Sequence, residues 1–166
     1  MAKKNKKVKK NKKVSSKFSI LQLPDTRLKT ICEEIDIETL DHKAMTKCAF
    51  KMIKTIDGIG VGLSACQVGA MKRFFVAELS KGKIEMCINP IIIASNIEFE
   101  YDTEGCLSVD KEYSVSRPTS GTVEYYSLHL RKVVQRELKG RYFRVFCHEL
   151  NHLDAITIKD IGEEIQ

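Results

Sequence analysis

The sequence predicts an α+β fold, with mostly antiparallel sheets packed around a central helix that carries an HExxH motif. Three observations predict it. Short apolar stretches bounded by turn residues occupy 73–79, 84–88, 91–99, 122–128 and 130–138. They come as a run, which is the pattern of strands joined by hairpins. A helical apolar face, Phe143, Phe146, Leu150 and Leu153, then marks a long helix over about 140–154.

Residues 1–17 hold nine lysines and no acid, and they cannot supply a core. They are expected to be a disordered extension, leaving 18–166 as one domain. The apolar lead-in Phe18-Ser-Ile-Leu-Gln-Leu-Pro24 runs into a turn or short helix at Pro24-Asp25. Over 38–57, Leu40, Met45, Cys48, Ala49, Met52, Ile53 and Ile56 recur near a 3.6-residue period, so this segment reads as an amphipathic helix stopped by Gly58. Residues 80–83 and Asn89-Pro90 are expected turns between strands, and Ile156–Ile158 a last short strand.

The net charge of +6 belongs to the extension. Without its nine lysines, 19 basic residues face 22 acidic ones, so 18–166 carries −3 and is not a nucleic-acid-binding domain by charge. The extension is the one strongly basic element, suited to a polyphosphate such as RNA, or to the ribosome. No apolar run is long enough for a membrane span and no signal-peptide core is present. A cytoplasmic monomer is expected. The six cysteines form no CxxC pair and read as reduced thiols, mostly small core residues.

Cys147-His-Glu-Leu-Asn-His-Leu153 carries the chemistry. His148 and His152 are four apart, so on a helix both imidazoles leave one face and can reach one metal ion. Glu149 borders that face, placed to take a proton from water polarised by the metal. A catalytic site of this kind usually has a third protein ligand. Cys106, in Glu104-Gly-Cys-Leu-Ser108, is a candidate, because a thiolate suits zinc-like ions. The segment Gly58-Ile-Gly-Val-Gly-Leu-Ser-Ala-Cys-Gln-Val-Gly69 lacks the Lys-Ser/Thr of a phosphate loop. Its glycines instead let another backbone approach, as when an extended peptide adds to a strand.

Three segments together resemble the peptide deformylases: Gly60-Val-Gly-Leu-Ser-Ala-Cys-Gln67, Glu104-Gly-Cys-Leu-Ser108 and His148-Glu-Leu-Asn-His152. They stand in the family's order and at similar spacing, and Ile20–Leu28 also looks like its N-terminal segment, so the resemblance covers about 19–160. It implies removal of the formyl group from N-formylmethionine on nascent polypeptides. It implies Cys106, His148 and His152 as ligands of a divalent metal, with iron(II) leading and zinc, nickel or cobalt as alternatives. Glu149 would be the proton carrier. The Gln67 amide and the Leu107 backbone N–H would stabilise the oxyanion. Gly60, Val61 and Gly62 would meet the substrate main chain, with Glu104 and Gly105 at the same site and Glu104 bracing a ligand. Val61 and Val145 are candidates for the methionine pocket.

The chain departs from the family pattern at Ser64 (usually alanine), Asn151 (usually aspartate), Ala155 (usually glycine) and Asp110 (frequently proline). None of these is an expected metal ligand. Arg117 reads as a solvated surface arginine, although the family orders its substrate-side loop with an arginine in this region. Two rival readings stay open. One is a small HExxH peptidase drawing a third ligand from Asp154, Asp160, Glu163 or Glu164. The other is a non-catalytic binder of the ribosome or nascent chain.

Overall fold

The computed structural model describes residues 17–165. All but the last residue of the expected lysine-rich extension therefore lies outside the described residues. In chain order the elements are α1 (His42–Ile56), β1 (Gly62–Ser64), β2 (Phe74–Ser80), β3 (Lys83–Ser95), β4 (Phe99–Cys106), β5 (Val109–Pro118), β6 (Ser120–Ser127), β7 (Lys132–Lys139), α2 (Arg141–Leu153), α3 (Ile158–Ile161) and β8 (Glu163–Glu164). Short 3₁₀ turns occupy Thr26–Lys29 and Ala65–Val68. The fold is α+β, and every named strand pairing is antiparallel.

One sheet has the order β1-β2-β3-β6-β7 and the other β4-β5-β8. Alternation along β2 decides where the helices go. Phe75, Ala77 and Leu79 face a core completed by Phe143, Phe146, Leu150 and Leu153 of α2. Phe74 and Val76 face the opposite side, with Met52 and Ile56 of α1. The ring of Phe146 meets Phe75 edge-on at 5.2 Å. The sheet is thus covered on both faces, which is why β2 reads as a continuous apolar run.

On its other flank α2 meets the β4–β5 hairpin. Arg144 donates to the carbonyls of Glu100 (2.7 Å) and Val115 (2.9 Å), and the His148 ring contacts Glu104. Among the described residues, no helix is long and apolar enough to cross a membrane. All six cysteines are free thiols.

The structure corrects several expectations. Asn89-Pro90 is not a turn between two strands: β3 runs through it, with a register shift between Ile88 and Ile91. Asn89 takes a positive φ of 48° and binds Ile35 through its side chain, while the missing Pro90 N–H is tolerated at a bulge. The first helix begins at His42, because the Asp41 side chain accepts the Ala44 N–H (2.9 Å) and caps it there. Ile156–Ile158 is not a strand. Thr157 and Asp160 form a capping box, so the chain turns into α3. Arg117 is not a surface residue: it is 5% exposed and paired with a buried carboxylate.

Candidate active site

The site is assembled from the edge of one sheet, the tip of the other and the face of α2 between them. β1 is the edge strand of its sheet, so it offers unpaired main chain on one side. It is held to β2 through Gly62, Leu63 and Ser64. Gly62 carries no Cβ for a steric reason. A methyl there would lie 2.7 Å from Cδ and 2.9 Å from Cγ of Glu149, and closer still to its Oε1. The Glu149 side chain therefore packs directly against the β1 main chain.

The β4–β5 hairpin brings in Cys106. Its Sγ stands 3.2 Å from His152 Nε2 and receives the Ser108 N–H at 3.4 Å. Cys106, His148 and His152 offer three ligand atoms within 4.8 Å of one another. Three of the acids that a peptidase reading would need are committed elsewhere. Asp154 pairs with Arg73 at 2.6 Å, and Asp160 and Glu164 bind Lys29 and Lys111. Asp154, Asp160 and Glu163 do not join the ligand cluster.

Glu104 is the hub behind the ligands. Its Oε2 meets His148 Nδ1 at 2.9 Å, which leaves the other ring nitrogen for a metal. Arg117 grips both oxygens at 2.6 and 2.9 Å, and Arg144 adds a contact at 2.9 Å. Burial opposes the charge of Glu104, but the Arg117 and His148 hydrogen bonds hold its carboxyl down at about 2. With both oxygens occupied by protein groups, Glu104 can orient His148 and has no oxygen left over for a substrate.

The two imidazoles are shifted in opposite directions. Burial works against a charge on His148, yet its hydrogen bonds to Cys106 and Glu104 push its pKa up to about 10. Burial, and then the neighbouring His148, lowers His152 to about 3 and keeps it a neutral donor. His152 Nδ1 is buried without a partner among the described residues, so its ring is not held by a protein hydrogen bond on that side. Burial also pushes the Glu149 carboxyl up, offset in part by His148 and by a hydrogen bond from Ser64. That is the direction a general base working near neutrality requires.

Gln67 sits in the 3₁₀ turn after β1. Its Oε1 accepts the Ser64 N–H (2.8 Å), and its amide nitrogen points to Ser108 Oγ (3.0 Å) and Cys106 Sγ (3.7 Å). The N-terminal lead-in ties this turn to the cysteine loop. Leu21 N–H donates to the Gln67 carbonyl (2.8 Å), the Gln22 side chain to the Leu107 carbonyl (2.8 Å), and Leu23 N–H to the Ser108 carbonyl (3.0 Å).

These parts surround a cavity of about 440 Å³. Gly60, Val61, Gly62, Gln67, Glu104, Gly105, Cys106, Leu107, Val145, His148 and Glu149 all line it, and His152 lies behind them, 1% exposed. Sequence reasoning missed Arg144 and the side-chain role of Ser64. Arg144 was detectable: it lies four residues before His148, on the same helical face.

Residues 17–165 match the polypeptide deformylase family. The chain belongs to that family. Among its relatives, a peptide deformylase of Stenotrophomonas maltophilia is 38% identical over 142 residues, covering 82% of this chain and 81% of the relative. One of Thermotoga neapolitana is 37% identical over 120 residues, covering 71% and 72%. The crystal structure of peptide deformylase from Thermotoga maritima superposes with a TM-score of 0.79 at 31% identity, over 87% of this chain and 96% of that one. The class I type b enzyme of Acinetobacter baumannii, solved with Met-Ala-Ser bound, gives 0.81 at 25% identity, over 87% and 97%.

Proposed function

We propose that this deformylase-family chain is a metal-dependent hydrolase that removes the formyl group from the N-terminus of nascent polypeptides and releases formate. The observation that carries the reading is the convergence of Cys106 on the His148–His152 pair, with Glu149 and Gln67 in the same cavity. An internal-peptide hydrolase would have no use for the cysteine loop.

Cys106, His148 and His152 would hold the metal, with iron(II) first and zinc, nickel or cobalt as alternatives. When bound, it would supply Lewis acidity, lowering the pKa of water and polarising the formyl oxygen. The protein groups do the rest. Glu149 takes a proton from the attacking water as the new C–O bond forms. It returns that proton to the amine nitrogen as the C–N bond breaks. The Gln67 amide and the Leu107 N–H donate to the oxyanion, each contributing roughly 3–4 kcal/mol to the barrier difference. Glu104 fixes the His148 ring.

The substrate main chain lies along Gly60-Val61-Gly62, by strand addition to the β1 edge. Its methionine side chain enters the cavity beside Val61, Leu107 and Val145. The Acinetobacter relative, solved with Met-Ala-Ser bound, supports a peptide that begins with methionine as the ligand. The lysine-rich extension is a separable contact for RNA or the ribosome, and the enzyme works as a cytoplasmic monomer.

Anaerobic purification with metal analysis and a formate-release assay on a formyl-methionyl peptide tests the reading. Iron(II) and formate are expected, with activity lost in air as the Cys106 thiolate oxidises. Cleavage of an internal peptide bond without formate would sink it. Glu149→Ala should keep its metal and lose nearly all formate release.

A further inference from the structure

Ser64 ends β1 and is fully buried. Its hydroxyl stands 2.7 Å from Glu149 Oε2 and 2.9 Å from the Glu149 carbonyl oxygen. A hydroxyl has one proton to give. The shorter contact, to Oε2, is the one that takes it. The other oxygen, Oε1, lies over Gly62, and both Gly62 and Glu149 form the cavity wall. No other described residue hydrogen-bonds the Glu149 carboxylate. The main chain of Ser64 serves a second purpose, since its N–H orients Gln67. Alanine, usual here in the family, would keep that bond and lose the hydroxyl.

We propose that the Ser64 hydroxyl is a positioning residue for Glu149: by occupying Oε2 it assigns the transferred proton to Oε1, the oxygen over the β1 edge where the peptide lies. The proposal rests on Glu149 being the proton carrier. The Ser64 proton stays on Ser64 throughout. Glu149 Oε1 receives a proton from water and delivers it to the amine. Without the hydroxyl no hydrogen bond distinguishes Oε2 from Oε1, so both oxygens compete for the proton and a fraction of turnovers begins from the wrong one.

The test compares wild type, S64A, S64T, E149Q and the S64A/E149Q double variant. Formate-release kinetics, metal content and thermal melting are measured for each. S64A is expected to lower kcat about tenfold, with KM and metal content unchanged and a cooperative thermal transition retained. S64T, which keeps a hydroxyl, is expected to recover most of that loss. In the E149Q background S64A is expected to add nothing to the kcat loss, because the effect of the hydroxyl on turnover passes through Glu149. A wild-type kcat for S64A overturns the proposal, and so does a full additional loss in the double variant. If the extra methyl of S64T lowers its melting temperature, the single and double alanine variants decide. Wild-type turnover by E149Q is a separate result: it removes the Glu149 reading and the Ser64 proposal with it.

Discussion

Two small residues hold the local geometry of the site region. Ala155, just past α2, has φ of +64°, a left-handed conformation that disfavours a Cβ. The deformylase pattern has glycine there, and the strain explains why. Ala155→Gly should raise stability by about 0.5–1 kcal/mol, the relieved strain less the added entropy of the unfolded chain. A chemical denaturation curve measures it, with formate release unchanged. Gly62 is the converse case, because its missing Cβ is the space that Glu149 fills. Gly62→Ala should reduce kcat by about 100-fold while metal content stays at wild type. The glycines were legible as a place of close approach. That the approaching group is Glu149 was not, because the two lie 87 positions apart and no local pattern links them.

At the scale of elements, α2 is the part most completely written in the sequence. Its apolar stripe and its His-Glu-His face follow from the 3.6-residue period alone. The β4–β5 hairpin was harder to see. Its exposed residues, among them Phe99 and Tyr101, break the buried–exposed alternation that marks a half-buried strand. The fate of Arg117 depends on that hairpin. β5 pairs with β4 so that Glu100 faces Arg117, and Arg117 then reaches across to Glu104 and to Asn151 Oδ1 at 2.8 Å. Read in one dimension it is an arginine among polar residues; in the fold it neutralises a carboxylate that is 6% exposed. Arg117→Ala should destabilise the domain by about 3–5 kcal/mol by leaving that charge under-compensated. A shift in the thermal unfolding midpoint reports it, and a variant as stable as wild type would remove Arg117 from this role. The bulge in β3 escaped for a similar reason: Asn-Pro marks turns far more often than it marks a shift of register inside a long strand.

Over the whole molecule, the five-stranded sheet is covered by α1 on one face and α2 on the other, and the second sheet closes over α2. The site lies where these layers meet, so it draws its groups from three distant stretches of chain. The basic extension carries the net positive charge of the protein, and residues 18–166 are mildly acidic. Removing residues 1–17 should leave kcat/KM on a short formyl peptide within about twofold, since the attraction of a lysine tail to a polyanion is a long-range charge effect. Binding of the full chain to RNA should weaken as salt rises, and an activity lost on truncation would tie the tail to the catalytic domain.

The sequence by itself determined the α+β class, the helix bearing His148, Glu149 and His152, and the three segments that mark the family, because periodicity and motif spacing are properties of neighbouring residues. Only the tertiary structure decided that Cys106 meets the two histidines, that Glu104 is bound by Arg117 and Arg144, and that Ser64 and Gly62 hold Glu149. Those contacts join residues from 13 to 87 positions apart. They exist only once the hydrophobic faces of α1, α2 and β2 have closed the layers on one another.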